Sequence, residues 1–320
     1  MEDRFLEKLK NKKFIPPKYK KILEDFYFSY QSAASNISPN KNYSKIFETL
    51  IDIIEKQIKT PYTFSPYHKK IRKPFDYYSF GIEFLKPLVD IKNSKLLGSE
   101  NLKEIEKKLL NNENVILFAN HQVESDPQAI SILLEKDFKD LASKIIYVAG
   151  ERVIEDSLAI PFSMGCDLLC IYSKKYINNP PKLKREKQLH NKKTMKLMSS
   201  LLNEGSKIIY VAPSGGRDRK NKKNIIEIAP LDPRSIEMFH LMAKKASKKT
   251  NFYPLSLFTY NILPPPDKTQ IEMGEKRITK GGKIHAYFGK EINLEKFEKF
   301  EKAKQVENLV KEGYKKIKDL

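Results

Sequence analysis

Asn114-Val-Ile-Leu-Phe-Ala119, Asn120-His-Gln-Val-Glu-Ser125 and Asp126-Pro-Gln-Ala-Ile-Ser-Ile-Leu-Leu134 follow one another without a break. The first piece is an apolar run of strand length, the second a polar turn and the third a helical pattern. Strand, turn and helix make the repeating unit of α/β proteins. Outward from this stretch the same alternation recurs. Helical patterns lie at 101–110, 192–203 and 235–247, and short β-branched runs at 144–149, 167–172, 206–211 and 252–257. Residues 283–288 offer a last strand and 294–320 a charged amphipathic helix. The expected fold class is α/β, a mixed or mainly parallel sheet flanked by helices, with no internal repeat.

The first sixty residues read differently. Ile22, Leu23, Phe26 and Tyr30 fall on one helical face, and Ile46, Phe47, Leu50, Ile51, Ile54 and Ile58 on another, with Ser44 placed to cap the second helix. Between Thr60 and Pro87 the pattern breaks into a passage rich in proline and tyrosine that resists continuous helix. The boundary falls there, giving a small N-terminal helical domain over 1–64 and an α/β domain over 65–320.

The chain has 320 residues, enough for a large core, and 40% are hydrophobic, too many for a disordered chain. No stretch approaches the ~18 consecutive apolar residues of a spanning helix. Cys166 and Cys170 are spaced for neither a redox pair nor a zinc site, which fits a reducing compartment. The opening Met1-Glu-Asp-Arg-Phe-Leu-Glu-Lys is neither a secretory signal nor an acid-poor transit peptide, so the chain is expected to be cytoplasmic, or a mature form after processing.

The formal net charge of +20 attracts polyanions: nucleic acid, anionic membrane or phosphorylated metabolites. Much of it lies in Asn-rich and Lys-rich stretches such as Lys220-Asn-Lys-Lys-Asn224, where a solvated face is the simpler reading. Neither a dinucleotide nor a nucleotide phosphate loop is present, and no RNA-binding or zinc-finger signature supports a nucleic-acid partner.

Chemistry concentrates at two strand ends, where α/β sheets put active sites. His121 and Asp126 form an H-x-x-x-x-D arrangement in which the carboxylate can curl back onto one imidazole nitrogen, fixing the tautomer and stabilising the imidazolium formed when the other takes a proton. The same residues admit a plainer reading, with Asp126 capping the helix before Pro127 and His121 a polar loop residue. The run Ile208-Ile-Tyr-Val-Ala-Pro-Ser-Gly-Gly-Arg-Asp-Arg219 leads a strand into a glycine turn presenting Arg217 and Arg219, whose forks match phosphate oxygens; a solvated basic loop is the alternative. Lys174 and Lys175 follow another strand end and, taken singly, are surface charges.

Nine ordered segments between Thr60 and Gly289 together resemble the soluble, plastid-type glycerol-3-phosphate acyltransferases. They are Lys59-Thr-Pro-Tyr-Thr-Phe, Pro74-Phe-Asp-Tyr-Tyr, Asn120-His-Gln-Val-Glu-Ser-Asp-Pro, Ala149-Gly-Glu-Arg-Val-Ile, Pro161-Phe-Ser-Met-Gly, Tyr172-Ser-Lys-Lys, Ala212-Pro-Ser-Gly-Gly-Arg-Asp-Arg, Pro264-Pro-Pro and Ile271-Glu-Met-Gly-Glu-Lys-Arg. The resemblance implies an N-terminal helical bundle before an α/β catalytic domain. It also implies acyl transfer from acyl carrier protein or coenzyme A to the sn-1 hydroxyl of glycerol 3-phosphate, for phospholipid synthesis. His121 would be the base and Asp126 its partner, with Lys175, Arg217 and Arg219 on the phosphate. Where the family pattern has a histidine, this chain has Tyr176, a neutral phenol able to donate one hydrogen bond to phosphate or to serve as an aromatic wall. No metal or cofactor is implied beyond the thioester co-substrate. The partners implied are the two substrates, with peripheral contact to anionic membrane compatible with the charge, in plastid stroma or cytoplasm. The alternatives are a lysophosphatidate acyltransferase, a basic nucleic-acid-binding protein, and an inactive protein that binds lipid or carrier protein.

Overall fold

The computed structural model describes residues 3–39, 41–173, 177–266 and 273–320. Helices α1 (Arg4–Asn11), α2 (Pro17–Ile37) and α3 (Ser44–Lys59) come first, then strand β1 (Tyr67–His68), α4 (Tyr77–Leu85), β2 (Lys95–Leu97) and α5 (Ser99–Leu110). The central units are β3 (Asn114–Ala119), α6 (Asp126–Leu134), α7 (Lys139–Lys144), β4 (Ile145–Ala149), α8 (Glu151–Glu155), α9 (Ile160–Ser163), β5 (Asp167–Cys170), α10 (Lys184–Glu204) and β6 (Ile208–Val211). A small hairpin, β7 (Arg219–Lys220) with β8 (Ile226–Glu227), precedes α11 (Pro233–Lys245), β9 (Thr250–Phe258), β10 (His285–Phe288) and α12 (Lys299–Ile317).

The large sheet runs β1-β5-β4-β6-β3-β9-β10-β2. Its inner pairs β5-β4, β4-β6, β6-β3 and β3-β9 are parallel, as is β10-β2, while β1-β5 and β9-β10 are antiparallel. This is the α/β class expected, with the mainly parallel core bounded by reversed edges. Because five adjacent strands point the same way, the turns after β3, β4, β5, β6 and β9 emerge along one edge.

Every residue of β3 is buried, which is why the strand reads as a continuous apolar run rather than an alternation. Its period-2 geometry still sorts the two faces. Val115, Leu117 and Ala119 enter a core shared with α2, α3, α4 and α6; Ile116 and Phe118 enter a second core with α10, α11 and α12. Tyr147 and Tyr210 join the first core, and Ile146, Ile209 and Val211 the second.

The N-terminal helices belong to the first core. Phe26, Tyr30 and Phe47 surround Phe84 of α4 at centroid distances of 5.7, 5.1 and 5.1 Å, and Tyr30 Oη donates to the Phe84 carbonyl at 2.6 Å. Along the other side of α2 runs the segment 273–281. Lys18 Nζ donates to the Met273 carbonyl at 3.1 Å, and the Tyr19 ring lies so close to Gly274 that a Cβ there would be 2.3 Å from it. The Thr279 amide donates to Ser29 Oγ at 3.2 Å.

Several local expectations shift. Ser44 is the first residue of α3 rather than its cap; its hydroxyl donates to Asp3 Oδ1 at 2.9 Å and also pairs with Tyr27 Oη. Helix α10 begins eight residues before the expected 192, because its first two turns are charged and carry little apolar periodicity. The proline-rich passage does contain a helix, α4, which starts only after Pro74 and is capped by Asp76 accepting from the Ser79 amide at 3.0 Å.

Candidate active site

Asn120, the residue leaving β3, is fully buried and locks the turn that follows. Its Nδ2 donates to the Leu257 carbonyl at 3.0 Å and to Asp218 Oδ2 at 2.8 Å, while its Oδ1 accepts from the Leu257 amide at 2.8 Å. Gln122, equally buried, accepts from the Thr259 and Tyr260 amides at 2.7 and 3.0 Å. Two side-chain amides thus join the turn after β3 to the end of β9, and His121 between them is held at the sheet edge.

His121 Nδ1 lies 2.7 Å from Asp126 Oδ2, so its Nε2 is the nitrogen left for chemistry. Asp126 is 1% exposed and starts α6, whose cap is Ser125; its carboxylate turns back into the turn rather than capping the helix. Oδ2 also accepts from the Gln122 amide at 2.9 Å and the Val123 amide at 3.3 Å, and Oδ1 accepts from Thr259 Oγ1 at 2.6 Å. A carboxylate so placed holds the ring in one orientation and can stabilise the imidazolium.

Asp218 closes the back of the site. Its amide donates to the His121 carbonyl at 2.6 Å, and its buried carboxylate accepts from Asn120, Gln122 and the Ala229 amide. Burial pushes its pKa up to about 6, against the lowering effect of those three donors.

Beside the dyad lies an ionic cluster. Arg217 Nη2 donates to both Glu275 oxygens, at 2.8 and 2.7 Å, and its Nη1 stands 3.8 Å from Glu124 Oε1. Arg277 Nη2 donates to Glu124 Oε2 at 2.8 Å and faces Asp156 Oδ2 at 3.6 Å. Arg219 Nη1 donates to the Pro266 carbonyl. Burial first, and then the neighbouring Arg217 guanidinium, push the Arg219 pKa below its ordinary value against the opposing pull of Glu275. Arg152, on α8, also acts on both Arg219 and Glu124. Burial alone would raise the Glu124 carboxyl, but the guanidiniums of Arg277 and Arg217 outweigh it and hold the pKa below its ordinary value.

An apolar cleft of ≈ 1030 Å³, counted to its open mouth, starts at His121 and runs between α2, α4, α6 and α9. Phe26, Phe84, Leu88, Val153, Phe162 and Leu263 are among its walls. Tyr147, Tyr210 and Cys166 line it too, and burial raises all three pKa values, that of Cys166 to about 12, so they present neutral groups.

The structure therefore brings His121 and Asp126 into contact and gathers Arg217 and Arg219 nearby, whereas Lys175 and Tyr176 lie outside the described residues. Glu124, Arg152, Asp156, Glu275 and Arg277 were not anticipated as site residues. Glu124, Arg152, Glu275 and Arg277 occur in segments that carried the resemblance, but nothing in the sequence signalled pairings such as that of Arg277 with Glu124, 153 residues apart. Among the described residues no group of three or more His, Cys, Asp or Glu side chains is arranged to hold a metal ion. No helix among them is long and apolar enough to cross a membrane.

A family model described as acyltransferase matches residues 94–257, from just before β2 to the penultimate residue of β9. Over 260 residues the chain is 40% identical to a chloroplastic glycerol-3-phosphate acyltransferase of Cucurbita moschata, covering 80% of this chain and 58% of that protein. The corresponding protein of Arabidopsis thaliana is 38% identical over 260 residues, with 80% and 57% coverage. That of Spinacia oleracea is 43% identical over 231 residues, with 72% and 49% coverage. The chain thus spans between 49% and 58% of the length of these relatives. With the family model spanning both the His121 turn and the Arg217 turn, and the resemblance of the nine segments borne out by these relatives, this chain belongs to the acyltransferase family.

Proposed function

We propose that the protein transfers a fatty acyl chain from a thioester, carried on acyl carrier protein or coenzyme A, to the sn-1 hydroxyl of glycerol 3-phosphate. The observation that carries this reading is the juxtaposition of the 2.7 Å His121–Asp126 pair with an apolar cleft and a guanidinium cluster. The cleft suits an acyl chain, the guanidiniums suit a phosphate, and the imidazole between them suits a hydroxyl nucleophile.

In this scheme the phosphate rests on Arg217 and Arg219, joined by Lys175 and by the hydroxyl of Tyr176. The substrate's far end is thereby directed to His121, and position supplies much of the rate. His121 Nε2 takes the proton as the hydroxyl oxygen attacks the thioester carbonyl. The tetrahedral intermediate collapses with cleavage of the C–S bond, and the thiolate leaves with the proton returned from His121. Asp126 stabilises the intervening imidazolium. No acyl-enzyme forms, and no cofactor takes part beyond the thioester itself. The product, 1-acyl-glycerol 3-phosphate, is an amphiphile bound for phospholipid synthesis, and a basic surface favours its delivery to anionic membrane.

We further read residues 1–64 as a helical domain and 65–320 as the catalytic domain, acting in an aqueous compartment such as the plastid stroma or cytoplasm. The deciding experiment incubates purified protein with oleoyl-carrier protein or oleoyl-coenzyme A and either glycerol 3-phosphate or lysophosphatidate. Formation of 1-acyl-glycerol 3-phosphate supports the reading. Phosphatidate formed from lysophosphatidate alone, or no thioester consumption with either acceptor, overturns it.

A further inference from the structure

Glu124 sits in the His121 turn with two unlike oxygens. Oε2 is occupied by Arg277 Nη2 at 2.8 Å. Oε1 is buried, and among the described residues no donor comes within hydrogen-bond distance of it; the Arg217 Nη1 group is 3.8 Å away. A buried acceptor without a donor is unfavourable by itself, which directs attention to what fills the site. Glu124 lines the same cleft as His121 and Arg277. It touches the guanidinium cluster through Arg217 and Arg277 and belongs to the same turn as the imidazole three residues before it.

An ionised carboxylate accepts only, so its missing partner is an O–H or N–H group. The proposed substrate supplies one. With phosphate on one terminal carbon and the reacting hydroxyl on the other, glycerol 3-phosphate carries its remaining hydroxyl on the middle carbon, between the groups held by arginine and histidine. We infer that Glu124 Oε1 accepts a hydrogen bond from this middle hydroxyl, making Glu124 the residue that selects a vicinal diol phosphate over an acceptor with a single hydroxyl. The inference rests on the proposed function and deepens it. Arg277 serves a double purpose: it occupies the other oxygen and keeps the carboxylate charged as an acceptor.

The test compares glycerol 3-phosphate with 3-hydroxypropyl phosphate, which lacks only the middle hydroxyl, in wild type, Glu124→Gln and Glu124→Ala. A hydrogen bond to a charged group corresponds to about 10- to 100-fold in kcat/KM. Wild type should prefer glycerol 3-phosphate by that factor, Glu124→Ala should bring the ratio to within about threefold of one, and Glu124→Gln, which keeps the shape and one acceptor, should fall between. Because the readout is a ratio within each protein, a general loss of activity leaves it meaningful, and the Gln variant carries the comparison if the Ala variant does not fold. A wild type that uses both acceptors equally overturns the inference alone, as does a preference untouched in both variants, which would leave Glu124 as a support for Arg277. A wild type that acylates neither acceptor overturns the proposed function and the inference with it.

Discussion

Replacing Asp126 by Asn isolates the charge of the dyad from its shape. The native carboxylate accepts four hydrogen bonds: from His121 Nδ1 and the Gln122 and Val123 amides on Oδ2, and from Thr259 Oγ1 on Oδ1. An amide can meet three of these donors only by turning its oxygen towards His121 and the turn, which aims its NH2 group at Thr259 Oγ1. Thr259 is 1% exposed, so its hydroxyl must become an acceptor and its own proton loses its partner. That orphaned donor costs about 1–3 kcal/mol, and at ~2–4 °C per kcal/mol for chains of 150–250 residues the melting temperature should fall by a few degrees. The imidazole keeps its neighbour but loses the negative charge that stabilises its protonated form, and a general base is worth ~10²- to 10⁴-fold in rate. We expect kcat to drop by that factor while far-ultraviolet circular dichroism stays native. Thiol release followed with a chromogenic thiol reagent, alongside thermal melts, measures both effects. A variant within threefold of wild-type kcat would refute the assignment of this pair to the chemistry.

Other perturbations separate the remaining parts. Arg217→Ala and Arg219→Ala should each raise KM for glycerol 3-phosphate by about 10- to 100-fold. Arg217→Ala should also melt at the lower temperature of the two, because it strands Glu275, whose side chain is 3% exposed, without its guanidinium; equal melting temperatures would argue against that pairing. Asp218 has a native pKa raised to about 6, so its favourable contribution is fully present below its unfolded pKa near 3.8 and is lost as pH rises through 6. Urea titrations of wild type and Asp218→Asn should therefore diverge by up to ~3 kcal/mol between pH 4 and pH 7, with wild type losing ground as pH rises; a constant difference contradicts the assignment. Gly274→Ala, at φ +78° and against the Tyr19 ring, should destabilise the protein and raise KM for glycerol 3-phosphate, with Tyr19→Ala relieving part of both; independent effects of the two changes would show that this contact does not reach the site. Rates with acyl carrier protein, an acidic donor, should fall more steeply with salt than rates with acyl-coenzyme A, and parallel curves would mean that the +20 charge has no part in donor docking.

The sequence was most informative where one physical demand dominates. Asn114–Ala119 and Asp126–Leu134 appear at the boundaries expected for them, because a doubly buried strand and a helix begun at a proline leave strong local patterns. The edge strands β1 and β2 span two and three residues and took no such pattern, since their pairing is imposed by neighbours distant in the chain. The same division runs through the site. His121 and Asp126 are five apart and their contact was legible from spacing, whereas Asn120 with Asp218, Asp126 with Thr259 and Glu124 with Arg277 are 98, 133 and 153 apart. A buried polar residue announces that it needs a partner; its partner's identity exists only once the sheet order is fixed. The long charged start of α10 escaped for the opposite reason, since a helix anchored by its later turns can extend into solvent with no apolar face to mark it.

The course of α2 along 273–281 bears on any attempt to recombine this chain with a relative. Its Lys18, Tyr19 and Ser29 grip the stretch that delivers Glu275 and Arg277, and its Phe26 forms part of the apolar cleft wall. A chimaera joined near residue 64 would exchange the backing of the candidate site along with the helices. Its substrate preference would then follow the donor of the first helices as well as the donor of the sheet, and functional hybrids should require residues 17–37 and 273–281 to be inherited from the same parent.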